Sequence, residues 1–191
     1  MDLLHSIAQL AGRGLRPLRS GDDKLAAHQL HVAGWHNVVV SSPAFADGAR
    51  IPEVYAGADG RSPPLRFSSL PSGTREVALV CEDPDAPMPR PFVHWVVFGI
   101  PPEAGELDEG LPPSAAPLTS GVQQGRNTMR KDGWIGPTPP PGHGVHRYHF
   151  QLFALDRRLD VSAPVDRTRL VEAMKGHIIG FGELVGTYEA T

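Results

Sequence analysis

The chain has 191 residues, 40% of them hydrophobic and 20% charged, with a formal net charge of −3. That is enough for one globular domain with a real core, and the balance gives no reason to expect nucleic acid as a partner. The single cysteine, Cys81, excludes an internal disulfide and a cysteine zinc cluster.

The opening segment places Leu3, Leu4, Ile7, Leu10, Ala11 and Leu15 at three- and four-residue steps, which predicts an amphipathic helix limited by Pro17. Arg13, Arg16 and Arg19 follow that stripe. The stripe needs cover, either on the body of the domain or in a homodimer; an anionic membrane surface is the weaker alternative. No apolar run reaches the roughly 18–20 residues of a membrane span, so no stable membrane insertion is expected. The start also lacks the positive region of a signal peptide, which points to a cytoplasmic protein.

From residue 37 the texture changes. "NVVVSS" (37–42), "EVALVCED" (76–83), "FVHWVVFGI" (92–100) and "HRYHFQLFALD" (146–156) read as strands between turn-rich stretches. Residues 101–141 read as loop, "DRTRLVEAMKG" (166–176) as a helix with Leu170, Val171 and Met174 on its apolar side, and 177–189 as a last strand. The expected class is mainly β: one antiparallel sandwich with a few short helices. The expected division is an N-terminal helical extension over 1–36 and a β-sandwich domain over 37–191.

Alternation along strands aims specific polar groups inward. Asp83 lies in line with Val77, Leu79 and Cys81, and His146 with Tyr148, Phe150, Leu152 and Ala154. His94 is expected in line with Phe92, Val96, Phe98 and Ile100. Each polar residue stands at one end of its strand, beside a Pro/Gly loop. Burying Asp83 requires donors, and His94 or His146 can supply them. An aspartate that orients a histidine leaves the other ring nitrogen free to face an anion. His143, His146 and His149 alternate in parity and cannot all aim at one ion from a regular strand, so no metal and no cofactor are expected.

Three motifs in order, "DPDAP" (83–87), "HW" (94–95) and "GPTPPPGHGVHRY" (136–148), resemble the pattern of phosphatidylethanolamine-binding proteins, in particular the bacterial branch labelled Raf-kinase-inhibitor-like. The resemblance covers about residues 37–189. It implies an antiparallel β-sandwich with a small pocket at one end that takes phosphate, a phospholipid head group or a carboxylate. Carried over position by position, the pocket residues are Asp83, Pro87, His94, Pro139, Pro140, Gly142, Gly144, His146 and Tyr148. Asp85 and Arg147 are expected to brace loops rather than touch ligand. The chain departs from the pattern at Thr138 and Phe67, and in its N-terminal helix. It stops just after the last strand, without the C-terminal helix that borders the pocket in eukaryotic relatives, so their lipid-tail and kinase contacts are not expected to transfer.

The expected function is a binding module for a small anion, with modulation of a signalling partner or an enzyme as its downstream role. The alternatives are a cofactor-free acid–base enzyme using Asp83, His94 and His146, and a scaffold acting through its surface alone. No serine or cysteine nucleophile lies in the motifs.

Overall fold

The computed structural model describes residues 3–32, 35–114, 116–118, 120–161 and 163–190. In chain order these form helices α1 (Leu3–Leu15) and α2 (Ala26–Gln29), then strands β1 (His36–Asn37), β2 (Val39–Ser41), β3 (Leu65–Ser68), β4 (Glu76–Asp83), β5 (Phe92–Ile100), β6 (Glu106–Leu107), β7 (Gln123–Gln124) and β8 (His146–Leu155). Helix α3 (Arg167–Met174) and strand β9 (Ile178–Tyr188) complete the fold. Among the described residues no helix is long and apolar enough to cross a membrane.

Six strands make one sheet in the order β1-β9-β8-β4-β5-β7, and β2-β3-β6 make a second. All pairings are antiparallel except β1 with β9. Strands β4 and β8 stand at the centre and are buried on both faces, which is why they read as nearly continuous apolar runs. One face meets the small sheet: Val77, Leu79, Cys81, Trp95, Phe150 and Leu152 pack with Ile51, Leu65 and Phe67. The other face, with Ala78, Val80, Val96, Phe98 and Phe153, is covered by Leu170, Val171 and Met174 of α3 and by Ala26, Ala27 and Leu30 around α2. Asp166 caps α3 by accepting from the Arg169 N–H at 2.9 Å. The buried Glu82 is matched by Ala26 N–H (2.7 Å), Gln151 Nε2 (2.8 Å) and Arg167 Nε (3.0 Å), satisfying a charge that would otherwise be costly.

Three expectations change. The loop expected over 101–141 contains β6 and β7, two-residue strands too short to show alternation. Ala26, Ala27, Leu30 and Val32, in the extension expected over 1–36, pack into the second apolar cluster together with the large sheet. Within α1, Leu10 is 64% exposed, so it does not join a buried stripe; the side chains of Leu3, Leu4 and Ile7 lie outside the described residues.

Candidate functional site

The polar groups singled out in the sequence meet at one end of the large sheet. Asp83 closes β4, and its Oδ1 accepts from the Asp85 N–H at 2.8 Å, a turn that the Asp-Pro-Asp order favours. Asp83 Oδ2 lies 2.7 Å from His146 Nδ1, at the first residue of β8. His146 Nε2 in turn lies 2.6 Å from His143 Nδ1, and His143 Nε2 lies 2.9 Å from the Leu15 carbonyl at the end of α1. Four groups thus form a line from the sheet to the N-terminal helix. Each of its three contacts needs one proton. Three protons on a carboxylate and two imidazoles make the set neutral overall, either as Asp83⁻ with one shared imidazolium or as a protonated Asp83 with two neutral rings.

This corrects one expectation. His146 has no free nitrogen: Asp83 takes one and His143 the other. Parity separates His146 from His149, which faces Glu183 at 3.0 Å, but it does not govern His143, which lies outside the strand. Gly142 and Gly144, at φ 79° and 109°, turn the loop back so that His143 reaches His146. Among the described residues no group of three His, Cys, Asp or Glu is placed to hold a metal.

His94 reaches the same site by a different route from the one alternation predicts. The β4–β5 register shifts between Cys81 and Glu82, where Cys81 pairs with Trp95 but Glu82 with Val93. His94 is the extra residue of that bulge, which re-aims it. Val96 and Phe98, expected on its face, lie in the opposite cluster. His94 packs instead against Trp134 and, edge-on at 4.9 Å, against Tyr148. Its Nδ1 donates to the Ile135 carbonyl at 2.6 Å, so Nε2 of the neutral ring is a lone pair. Burial pushes His94 below its ordinary value, against the pull of the Asp83 charge. Among the described residues the Tyr148 hydroxyl is buried without a partner. Burial, and then the Asp83 charge, hold that phenol well above its ordinary value. A proton donor, the Tyr148 hydroxyl, and an acceptor, the His94 Nε2 lone pair, therefore lie on neighbouring buried side chains.

The surrounding loops are tied together by ion pairs and hydrogen bonds. Asp85, 1% exposed, accepts from Arg147 Nε at 2.8 Å and pairs with Arg19, while Arg147 also binds Asp22 at 2.8 Å. Burial alone would raise the Asp85 carboxyl, but these guanidiniums hold it at about 2. Ser20 and Gly21 donate to the Pro84 carbonyl at 2.8 and 3.0 Å. Pro87 sits half-buried at the end of this loop, and Pro139 and Pro140 lead into the glycine turn, where the Pro140 carbonyl accepts from His143 N–H at 3.0 Å. The N-terminal residues that complete the site, Gly12, Leu15, Arg16 and Arg19, carried no motif in the sequence.

Two open clefts lie elsewhere. One, of about 880 Å³, runs between the 88–91 loop, residues 126–130 and the start of α3, and includes Arg90 and Arg130. The other, of about 650 Å³, is bordered by Trp35, His149 and Phe181. Neither is lined by Asp83, His94, His146 or Tyr148.

A family model described as phosphatidylethanolamine-binding protein matches residues 41–189. A UPF0098 protein of Methanothermobacter thermautotrophicus is 44% identical over 147 residues, covering 76% of this chain and 94% of its own length. Another, from Pyrococcus horikoshii, is 41% identical over 186 residues, 96% of this chain and 86% of its own, so the likeness extends into the N-terminal segment. Among solved structures, a phosphatidylethanolamine-binding protein homologue from Chlamydia trachomatis superposes with a TM-score of 0.72 at 36% identity, over 82% of this chain and 99% of its own. E. coli YbcL does so with a TM-score of 0.74 at 27% identity, over 81% and 99%. The chain belongs to the phosphatidylethanolamine-binding protein family.

Proposed function

We propose that this chain binds one small oxyanion, such as phosphate, the phosphate of a head group or a carboxylate, in the pocket of Asp83, His94, His146 and Tyr148. The observation that carries the reading is the orphaned Tyr148 hydroxyl beside His94. A buried hydroxyl without a partner costs on the order of 1–3 kcal/mol, and an oxyanion oxygen would remove that cost. Hydrogen phosphate suits the pair, because one oxygen accepts from Tyr148 while its P–OH donates to the His94 lone pair. Pro87, Pro139, Pro140, Gly142 and Gly144 act by shaping the loops around that group. With few polar contacts, binding should lie in a weak micromolar-to-millimolar range.

The acid–base enzyme reading has less support. The Asp83–His146–His143 line would serve proton transfer, but His146 is 1% exposed and both its nitrogens are occupied. Calorimetric titration of phosphate into the full chain tests the proposal. Binding should be one-to-one and lost in Tyr148→Phe. Undiminished binding in that variant would show that the pocket is misassigned.

A further inference from the structure

The structure assigns His143 and helix α1 a role as an internal plug of this pocket: His143 holds the nitrogen of His146 that an oxyanion would use, and α1 holds His143 in place. This rests on the proposed anion site.

The pocket is shut. Asp83, His94, His143, His146 and Tyr148 are each 3% exposed or less. Strands β4, β5 and β8 border it and are fixed by their ladders and by the core. The 139–144 loop, which lies outside the ladders and carries His143, is clamped by α1. Gly12 lies so close that an added Cβ would run into the Pro141 carbonyl oxygen, and one at Gly142 would run into the Gln9 carbonyl. Arg16 Nε donates to the Gly142 carbonyl at 2.9 Å, and His143 donates to the Leu15 carbonyl at 2.9 Å.

The chemistry fits displacement. The His143 ring occupies His146 Nε2 in the place an anion would take. When His143 leaves, His146, still held by Asp83 through Nδ1, is left with Nε2 facing outward, where an N–H can donate to the anion. Release of α1 breaks no ladder, and Leu10 on the helix is exposed. A site open only part of the time binds with its affinity reduced by the open fraction. Docked α1 and bound oxyanion therefore exclude one another, and by reciprocity each weakens the other.

The test uses the full chain with Leu10→Cys carrying a spin label; Cys81 is fully buried and stays unlabelled in the folded protein. Inorganic phosphate is titrated by calorimetry while the label's mobility is followed. Phosphate should mobilise the label in the otherwise wild-type chain. Gly12→Val should free the helix without phosphate and tighten phosphate binding about ten-fold or more, and His143→Ala, which removes the plug itself, should tighten it similarly. Weaker binding in both variants would make α1 and His143 part of the ligand site and overturn the inference, as would unchanged affinity with an unmoved label. Should neither the parent chain nor either variant bind phosphate, the anion reading falls first.

Discussion

Replacing Asp85 with asparagine probes the loop that positions Asp83. The folded protein lowers this carboxyl from its ordinary 3.8 to about 2, against the opposing effect of burial, because Arg147 and Arg19 bond to the charged form. At 1.36 kcal/mol for each pH unit, the charged form gains ~2 kcal/mol on folding. A carboxyl lowered in the folded state contributes stability that is complete above about 4 and lost as pH falls toward about 2. Asparagine keeps the shape and one acceptor oxygen but turns an NH2 group toward one of the two Arg147 donors, Nε or Nη2, and removes the charge. Arg147 keeps Asp22 and is 40% exposed, so the loss should fall just below the ~3–5 kcal/mol of a broken buried pair, at about 2–3 kcal/mol at pH 7. Urea unfolding, followed by the fluorescence of the buried Trp95 and Trp134, gives the stability of both forms from pH 7 to pH 2. The wild type should lose ~2 kcal/mol more than the variant between pH 4 and pH 2. A variant within about 0.5 kcal/mol of wild type at pH 7, or one with the same acid dependence, would refute the role of the Asp85 cluster.

Tyr148→Phe should raise the stability of the ligand-free protein by about 1 kcal/mol, because it removes a buried hydroxyl with no partner; lower stability on urea unfolding would mean the hydroxyl is satisfied in solution. Sulfate, which carries no proton near neutrality, must bring one to His94 Nε2. Because burial lowers His94 in the free protein and a bound anion raises it again, sulfate affinity should increase as pH falls from 8 to 5.5, with proton uptake. The Asp83 charge opposes part of the lowering, and His94→Gln should flatten the dependence. Titration in buffers of different ionisation enthalpy checks this, and a flat profile in the wild type would leave His94 without a charged role. Cys81, buried with its thiol pushed well up by desolvation, should react with a disulfide reagent only on global unfolding; fast reaction in the native state would contradict the packing of β4.

Much of this architecture was legible in the sequence. Strands β4, β5 and β8 and helix α3 match stretches whose side-chain period is regular, and the inward rows of β4 and β8 follow from alternation alone. The failures have local causes. A bulge adds one residue at His94 and inverts the faces from Trp95 to Phe98, until a second register shift restores them at Ile100; nothing in "FVHWVVFGI" marks the first shift. His143 lies in a glycine loop, where positive φ rather than strand parity decides direction. The part played by Gly12, Leu15 and Arg16 depends on contacts more than 120 residues apart in sequence, which no periodicity records. The glycine pair flanking His143 was the available signal: two such residues are needed where a chain doubles back this tightly.

The central claim is that one small oxyanion sits between Tyr148 and His94. Crystals grown with arsenate, a phosphate analogue with a usable anomalous signal, test it directly. The predicted result is one strong anomalous peak within hydrogen-bonding distance of Tyr148 Oη and His94 Nε2. Peaks confined to surface clefts such as the one beside Arg90 and Arg130, with the interior pocket empty at saturating arsenate, would contradict it.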